Sequence, residues 1–459
     1  MLETRIRELL LDARDRCAQA GINADFNFHR ERSGLIRLGN SSVALSTSEE
    51  LTRLDVSVQD GRRTGAYSLN ADVTSREQLD AALEQAKESC RAALPKDYDP
   101  IFCTVKEPVD ESRGFDPALE TLSSEAKTEL CSKVIKQLKP LGHYDFSGSW
   151  SSGSTEMYLV STANRNEAYR KLTDGRLVIV LKEQDKKWEL QVERTQKAAN
   201  AFTPEDIVAQ FRAMLPVYEK NPGYRTQIGR QRVLFGPQAV AELASLAMWS
   251  GFNGRGWEEK RTFTANLKPG DKVFSDSVSL VDDPDNTDVF SMPFDFNGFR
   301  RRRFPVVTNG LLTALCYDSG SAAKYGRQPT GHDLGNWDLC LAPGKAGAGL
   351  AAGLKLAGNA LYIPHLHYIH LPDPTQGQFT GSSRFNAMLV KDGSFAAPLV
   401  STRVTDTIPN VLSNVVAVSS KTVPVNVSST YDRRSPEAMS MPEYLLCDNV
   451  RINDVADGF

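Results

Sequence analysis

The chain has 459 residues, of which 41% are hydrophobic and 24% charged, and a formal net charge of −3 at pH 7. That length exceeds what one hydrophobic core usually fills, so two domains of ordinary soluble composition are expected. A near-neutral balance, with a pI near 6.2, excludes a general nucleic-acid binder, which needs a strongly basic field to offset phosphate charge. The seven cysteines, at 17, 90, 103, 131, 316, 340 and 447, are odd in number, scattered and never arranged as C-x-x-C. Free thiols in a reducing compartment are expected, not disulfides or a cysteine-rich zinc site. The stretch from Met1 to Leu10 interleaves charge with apolar residues and lacks a signal-peptide core. With no apolar run of membrane-spanning length, the expectation is a cytoplasmic protein that does not engage a membrane.

Taken in chain order, Leu2, Ile6, Leu9, Leu10, Ala13 and Cys17 fall at helical spacing, which predicts an amphipathic helix ending near Gly21. Leu54, Val56 and Val58 alternate with polar residues ahead of Asp60-Gly61, and Gly65 to Leu69 returns, so a hairpin follows. Thr74 and Glu77 form a capping box before Leu79, Ala82, Leu83, Ala86 and Cys90, one face of a second helix. A third helix opens at Asp116-Pro117 and carries Leu119, Leu122, Ala126, Leu130 and Leu138. Strand signals occupy Glu156 to Thr162 and Leu177 to Val192, with turns at Asp174-Gly175 and Asp185-Lys186-Lys187. Thr203-Pro204-Glu205 starts a helix with Ile207, Phe211, Met214 and Leu215 inside, and Asn221-Pro222-Gly223 ends it. The boundary is placed near residue 225. Residues 1–225 form an N-terminal α/β domain, and 226–459 a mostly antiparallel β domain built as a curved sheet or incomplete barrel, an α+β protein overall.

Beyond that boundary the order of motifs is distinctive. Phe294-Asp295-Phe296-Asn297-Gly298 reads as a turn, Arg300 to Arg303 and Phe304 to Thr308 as a basic strand, Asn309-Gly310 as a hairpin signal and Leu311 to Tyr317 as the returning strand. A helix-like run then reaches Thr330-Gly331. Asn359 to Ile363 comes before Thr380-Gly381, Leu389 to Gly393 reads as another hairpin, and Ala397-Pro398-Leu399 leads to the last strands. This succession resembles the C-terminal domain of the TldD/PmbA metallopeptidase family, specifically over residues 230 to 459 and more loosely before.

The resemblance implies that catalytic members carry H-E-x-x-x-H on the first helix of this domain, where histidines on successive turns chelate zinc and the glutamate activates its water. Here the corresponding residues are Gly236, Pro237 and Ala241, and no histidine occurs between His143 and His332. The further cysteine ligand of catalytic members lies in a loop matching about Val427 to Met441, which begins Ser428-Ser429-Thr430-Tyr431 and has no cysteine; Cys447, beyond it, reads as a buried structural thiol. The chain therefore resembles the non-catalytic TldE/PmbA-type subunit. It is expected to hold no cofactor itself, to pair with a TldD-like subunit that carries the zinc, and to bind unfolded or modified peptides, with a homodimer possible in isolation.

Other sites compete with that reading. His365 and His367 project from one face of a strand and His370 from the other, so the first two either chelate a metal, with Asp373 or His332 as third ligand, or line a groove. Arg300, Arg301, Arg302 and Arg303 form either a solvated edge strand or a contact for a partner or a peptide's acidic groups. Asp282, Asp283, Asp285 and Asp295 read as turn acids. Gly347, Gly349 and Gly353 read as a small-residue helix packed close to a sheet, not a dinucleotide loop. A stand-alone peptide-binding scaffold and an independent metallohydrolase using His365 and His367 remain as alternatives.

Overall fold

A computed structural model of the chain describes residues 2–332, 335, 338–430 and 433–459; Met1 and Tyr431, named above, lie outside them. The first helix, α1 (Thr4–Gln19), buries Ile6, Leu10, Ala13 and Cys17, as their spacing predicts. Strands β1 (Asn23–Gly39), β2 (Ser42–Asp60) and β3 (Arg63–Leu69) follow, with Asp60 paired to Arg63 across the expected turn. Helix α2 (Arg76–Ala92) buries all five predicted residues, but its capping box is Ser75 with Gln78, not Thr74 with Glu77. Both pairs fit the pattern. Gln78 prevails because its side-chain oxygen accepts the N–H groups of Thr74 and Ser75 at 2.8 and 3.1 Å.

After β4 (Val109–Glu111), the expected third helix is two helices. Asp116 caps α3 (Pro117–Glu120) and Ser123 caps α4 (Ser124–Leu138). The new start turns Ala126 to solvent and Lys127, Cys131, Val134 and Ile135 inward. Strands β5 (Tyr144–Ser161), β6 (Glu167–Glu183) and β7 (Glu189–Gln196) are longer than expected, and Asp174-Gly175 lies within β6 instead of forming a turn. The seven strands form one sheet in the order β3-β2-β1-β5-β6, with β4 and β7 both on β6. Helix α5 (Pro204–Lys220) starts from a Thr203–Asp206 capping box and buries Ile207, Phe211, Met214 and Leu215.

The C-terminal part runs β8 (Gly229–Phe235), α6 (Pro237–Gly251), α7 (Gly254–Glu258), β9 (Leu280–Asp282), β10 (Phe304–Thr308), β11 (Leu311–Leu312), α8 (Ser319–Tyr325), β12 (Leu339–Leu341) and α9 (Leu350–Ala357). It ends with β13 (Ala360–Ile363), β14 (Leu366–Asp373), β15 (Gln378–Ser383), β16 (Met388–Lys391), β17 (Ser394–Pro398), β18 (Thr402–Thr407), α10 (Ile408–Ser413), β19 (Val415–Val418), β20 (Thr422–Asn426), β21 (Ala438–Pro442) and β22 (Leu445–Val455). A six-stranded sheet has the order β11-β10-β9-β12-β21-β20, and a nine-stranded sheet β14-β15-β18-β22-β8-β13-β16-β17 with β19 on β22. Among the described residues, only the β12–β21 and β8–β13 pairings within them are parallel. Both sheets are open, so the C-terminal part is mostly antiparallel and not a closed barrel.

One apolar core joins α6 to both C-terminal sheets through Val233, Phe235, Leu243, Phe252, Leu280, Met441 and Leu445. A second draws Trp188, Phe211 and Tyr218 together with Tyr362, Met388, Tyr444 and Leu446, so apolar packing continues across the position where the sequence breaks near 225. Gly353 of α9 sits where an added Cβ would lie 2.7 Å from the Tyr444 ring, the close helix-on-sheet packing expected of its small residues.

Candidate functional site

Strand β8 delivers the chain to the start of α6, where Gly236 is the N-cap and Pro237 the first helical residue. A Cβ built on Gly236 would lie 2.9 Å from Pro364 Cα and 3.3 Å from Tyr362 Oη, and Ala241 is buried in the core. A zinc site at this helix does not fit: two of the three positions offer no donor atom, the third is a proline, and the first has no room for any side chain. Among the described residues, no group of three or more His, Cys, Asp or Glu is arranged to hold a metal ion.

The arginine run departs from the expected strand. Arg300 makes only an isolated bridge to Phe294, and Arg301 to Arg303 are irregular. The Arg301 side chain is fully buried, with its guanidinium 2.5 Å from Asp282 Oδ2 and 3.1 Å from Asp338 Oδ2. His332, stacked on Phe304 at 4.6 Å, adds a 2.9 Å contact to Asp282. Burial pushes the Asp282 carboxyl up, but Arg301 and His332 more than offset this and hold it below the usual range. Asp282 is thus a strand residue in a buried ionic cluster, not a turn acid, and Arg301 is no surface contact. Asp295 does close its turn, accepting the N–H groups of Asn297 and Phe299. Arg302 pairs with Glu107 at 2.7 Å and Arg303 with Asp283 at 3.6 Å, both in water.

His365 precedes β14 and His367 lies within it; both rings pack edge-on against Phe385, at 5.9 and 6.4 Å. The structure brings this pair together and leaves out the rest. Asp373 is occupied by Thr375, at 2.6 and 2.9 Å, and His332 belongs to the Arg301 cluster. The regular alternation expected for His370 fails because Tyr368 adopts φ 48° and the β14–β15 register shifts between His367 and His370. Burial pushes the His365 imidazole down to about 4, with Arg176 and His367 adding to the shift and Glu193 opposing it. His367 is lowered as well, by burial and by Arg384.

These histidines face a charged surface that strand alternation creates. In the β6–β7 pair, Lys182 opposes Glu189 and Val178 opposes Glu193, placing Lys182, Arg176, Glu189 and Glu193 on one face while Leu177, Ile179, Leu181, Leu190 and Val192 enter the core behind. Arg176 and Glu193 pair at 2.8 Å. At one end the surface opens into a cleft of about 450 Å³ lined by Lys182, Glu189, Tyr218, His367, Arg384 and Phe385. At the other, a hollow of about 440 Å³ lies beside Arg176, Asp174 and Arg434. Sequence reading missed this surface, although the alternation of charged with apolar residues from Arg176 to Lys182 and from Glu189 to Glu193 carries its signal.

Comparison with known proteins decides what scaffold this is. Residues 228–454 match the PmbA/TldA metallopeptidase C-terminal domain. A metalloprotease of Methanothermobacter thermautotrophicus is 27% identical over 168 residues, 33% of this chain and 35% of its own length. A Haemophilus influenzae protein described as a metalloprotease PmbA homolog is 29% identical over 129 residues, 28% of each chain. The alignments thus span about a third of these relatives or less. The chain is a homologue of the TldD/PmbA metallopeptidases. Solved structures share the fold along the whole length. TldE from Thermococcus kodakarensis superposes with a TM-score of 0.79 at 16% identity, covering 98% of this chain and all of that one. Proteins described as candidate modulators of DNA gyrase, from Thermotoga maritima and Bacteroides thetaiotaomicron, give TM-scores of 0.81 and 0.82 at 16% and 17% identity; they cover 97% and 99% of this chain and all of their own.

In this TldD/PmbA homologue the loop before β21, where the resemblance places a ligand cysteine in catalytic members, is instead anchored by Arg434. Its buried guanidinium meets both Asp174 oxygens, at 2.7 and 2.9 Å, and Ser151 Oγ at 3.0 Å. Its backbone N–H donates to Glu31, which also bonds His29 at 2.9 Å. Cys447 is buried in β22, and burial raises its thiol far above the reactive range.

Proposed function

We propose that this chain is the non-catalytic, TldE/PmbA-type subunit of a heterodimeric zinc metallopeptidase, and that it binds unfolded or modified peptides for a TldD-like partner carrying H-E-x-x-x-H. The carrying observation is the closed start of α6, where Pro364 leaves no room for a side chain at Gly236. The charged β6–β7 surface supports the peptide-binding half of the reading, and so does β14, the end strand of its sheet, as a place where an extended segment could be added. The division near residue 225, with separate N- and C-terminal domains, belongs to the same reading. A cytoplasmic location is supported by seven unpaired cysteines. No helix among the described residues is long and apolar enough to cross a membrane.

The test is digestion of an unfolded protein with and without a chelator. The chain alone is expected to be inert, and chelator-sensitive cleavage is expected only when a TldD-type subunit is added. Cleavage by a preparation proven free of that partner overturns the proposal. Light scattering is expected to show a homodimer or a mixed dimer with the partner; a monomer in both cases counts against it.

A further inference from the structure

Strand β1 gives Ala24, Phe26 and Phe28 to the apolar core shared with α1 and α2, so the alternate residues Asp25, Asn27 and His29 occupy its opposite face. Strand β2 adds Asp55 and Ser57 to that face, since Ser57 opposes Asp25 and Asp55 opposes Asn27. The two acids have different surroundings. Asp55 is compensated by Arg53 at 2.9 Å and by Arg433 at 3.3 Å. Asp25 is 7% exposed and bonds the Ser57 hydroxyl, yet among the described residues no cation pairs with it. Burial pushes its carboxyl up to about 7, with Ser57 opposing the shift and Asp55 adding to it. Beside it opens a cleft of about 550 Å³, walled by Val58, Ile101, Phe102 and Phe296 and bordered by Ala66 of β3. Among the described residues lining that cleft, Asp25 is the one acid and Lys96 the one base. Lys96 is not the missing partner, for its ammonium lies over the Tyr98 ring at 5.5 Å and makes no ion pair with Asp25. Buried acids are ordinarily paired, so one left without a cation at the wall of a cleft marks a place for a cationic ligand.

We propose that this cleft binds an organic amine with an apolar or aromatic body, its ammonium pairing with Asp25 and its body resting against Phe102 and Phe296. An ammonium offsets the cost of ionising a buried carboxyl and gives Asp25 the compensation that Arg53 and Arg433 give Asp55. Because it favours the ionised acid, binding below pH 7 displaces the carboxyl proton, and affinity rises as the pH increases through about 7. The other ionisable groups around Asp25 are Asp55 on β2, Lys96 beyond α2, Asp295 in the turn that carries Phe296, and Cys103, whose thiol burial pushes well above its usual value. The site uses none of the residues on which the peptide-binding reading rests and goes beyond it.

The experiment is isothermal titration calorimetry of the full chain with phenethylamine, and with 2-phenylethanol as an uncharged control of the same shape. At pH 7.5 the amine is expected to bind about tenfold more tightly than the alcohol, the effect of one charge-assisted contact. At pH 6.5 its affinity is expected to fall, and titrations in buffers of different ionisation enthalpy are expected to show a proton released on binding. Asp25→Asn, which keeps the shape of the side chain, is expected to bring the amine down to the alcohol's affinity and to abolish the proton release. Ala66→Trp, at an exposed position of β3, narrows the cleft without altering its charge and is expected to weaken both ligands. A thermal melt checks that both variants fold. Equal affinity for amine and alcohol in the unaltered chain overturns the proposal, as does amine binding that survives Asp25→Asn or Ala66→Trp, or the failure of the amine to bind at all.

Discussion

The charges of Arg301 and Arg434 are sealed from water, whereas those of Lys182, Lys187 and Arg384 stand in an open cleft, and removing a charge from each region has a different consequence. A buried ion has no solvent to replace its partner, so truncating one member strands the other at a cost of about 3–5 kcal/mol. An exposed pair is solvated with or without its partner, and its loss costs roughly 0–1 kcal/mol. Buried pairs here fasten distant segments to each other. The open ones remain available to a ligand.

The largest effect is expected at Arg301. Arg301→Leu leaves Asp282 and Asp338, both buried, without the guanidinium that bridges them. A loss of about 3–5 kcal/mol or more is expected in denaturant melts. Arg434→Ala follows, since it strands Asp174 and releases the β20–β21 loop from its side-chain ties to β5 and β6; about 3 kcal/mol is expected. Replacing Asp174 and Arg434 together by apolar residues should cost less than the single change. A loss under 1 kcal/mol in either single variant breaks the distinction between the two regions.

Those same residues show where sequence reading succeeds and where it stops. Helices α1, α2 and α5 were legible because their buried faces repeat at 3.6 residues within one short window. Asp174-Gly175 was misread as a turn because the acid is tolerated mid-strand only through Arg434, a partner 260 residues away. Arg300 to Arg303 read as a basic edge strand because local spacing says nothing of Asp282 and Asp338, which turn Arg301 inward. At His365 and His367 the spacing put both rings on one face of a strand; both pack on Phe385, but His365 precedes β14 and the left-handed Tyr368 ends the alternation before His370.

A smaller effect separates the regions by pH. Burial pushes the carboxyls of Asp25 and Glu437 up to about 7 in the folded chain. The folded state therefore binds more protons than the unfolded one between about pH 4 and 7, and this contribution is complete below the unfolded pKa and lost as pH rises through 7. His365, pushed down to about 4, opposes it, because an unfolded histidine takes up its proton below about 6.5. Two carboxyls against the His365 and His367 imidazoles should still leave the melting temperature higher at pH 5.5 than at pH 7.5. Glu437→Gln should flatten that slope. Arg384→Gln, in the open cleft, should steepen it slightly by relieving His367 and cost at most about 1 kcal/mol.

The smallest expected effect is that of zinc. Were His365 and His367 part of a metal site, zinc at ~100 times its dissociation constant would stabilise the folded chain by about 2.7 kcal/mol and raise its melting temperature. No rise is expected, because Asp373 is engaged by Thr375 and His332 by Asp282, leaving two imidazoles without a third ligand. Restoring the motif on α6 should not help either. In the triple variant Gly236→His, Pro237→Glu and Ala241→His, the new Cβ at 236 meets Pro364 Cα at 2.9 Å, and the imidazole at 241 enters a packed core. That variant is expected to be less stable and still to bind well under one equivalent of zinc by metal analysis. Stoichiometric zinc in the triple variant would show that α6 kept a usable metal site and would remove the steric ground for the non-catalytic reading. Stoichiometric zinc in the unaltered chain, lost on His365→Ala with His367→Ala, would instead move the chemistry to the histidine pair.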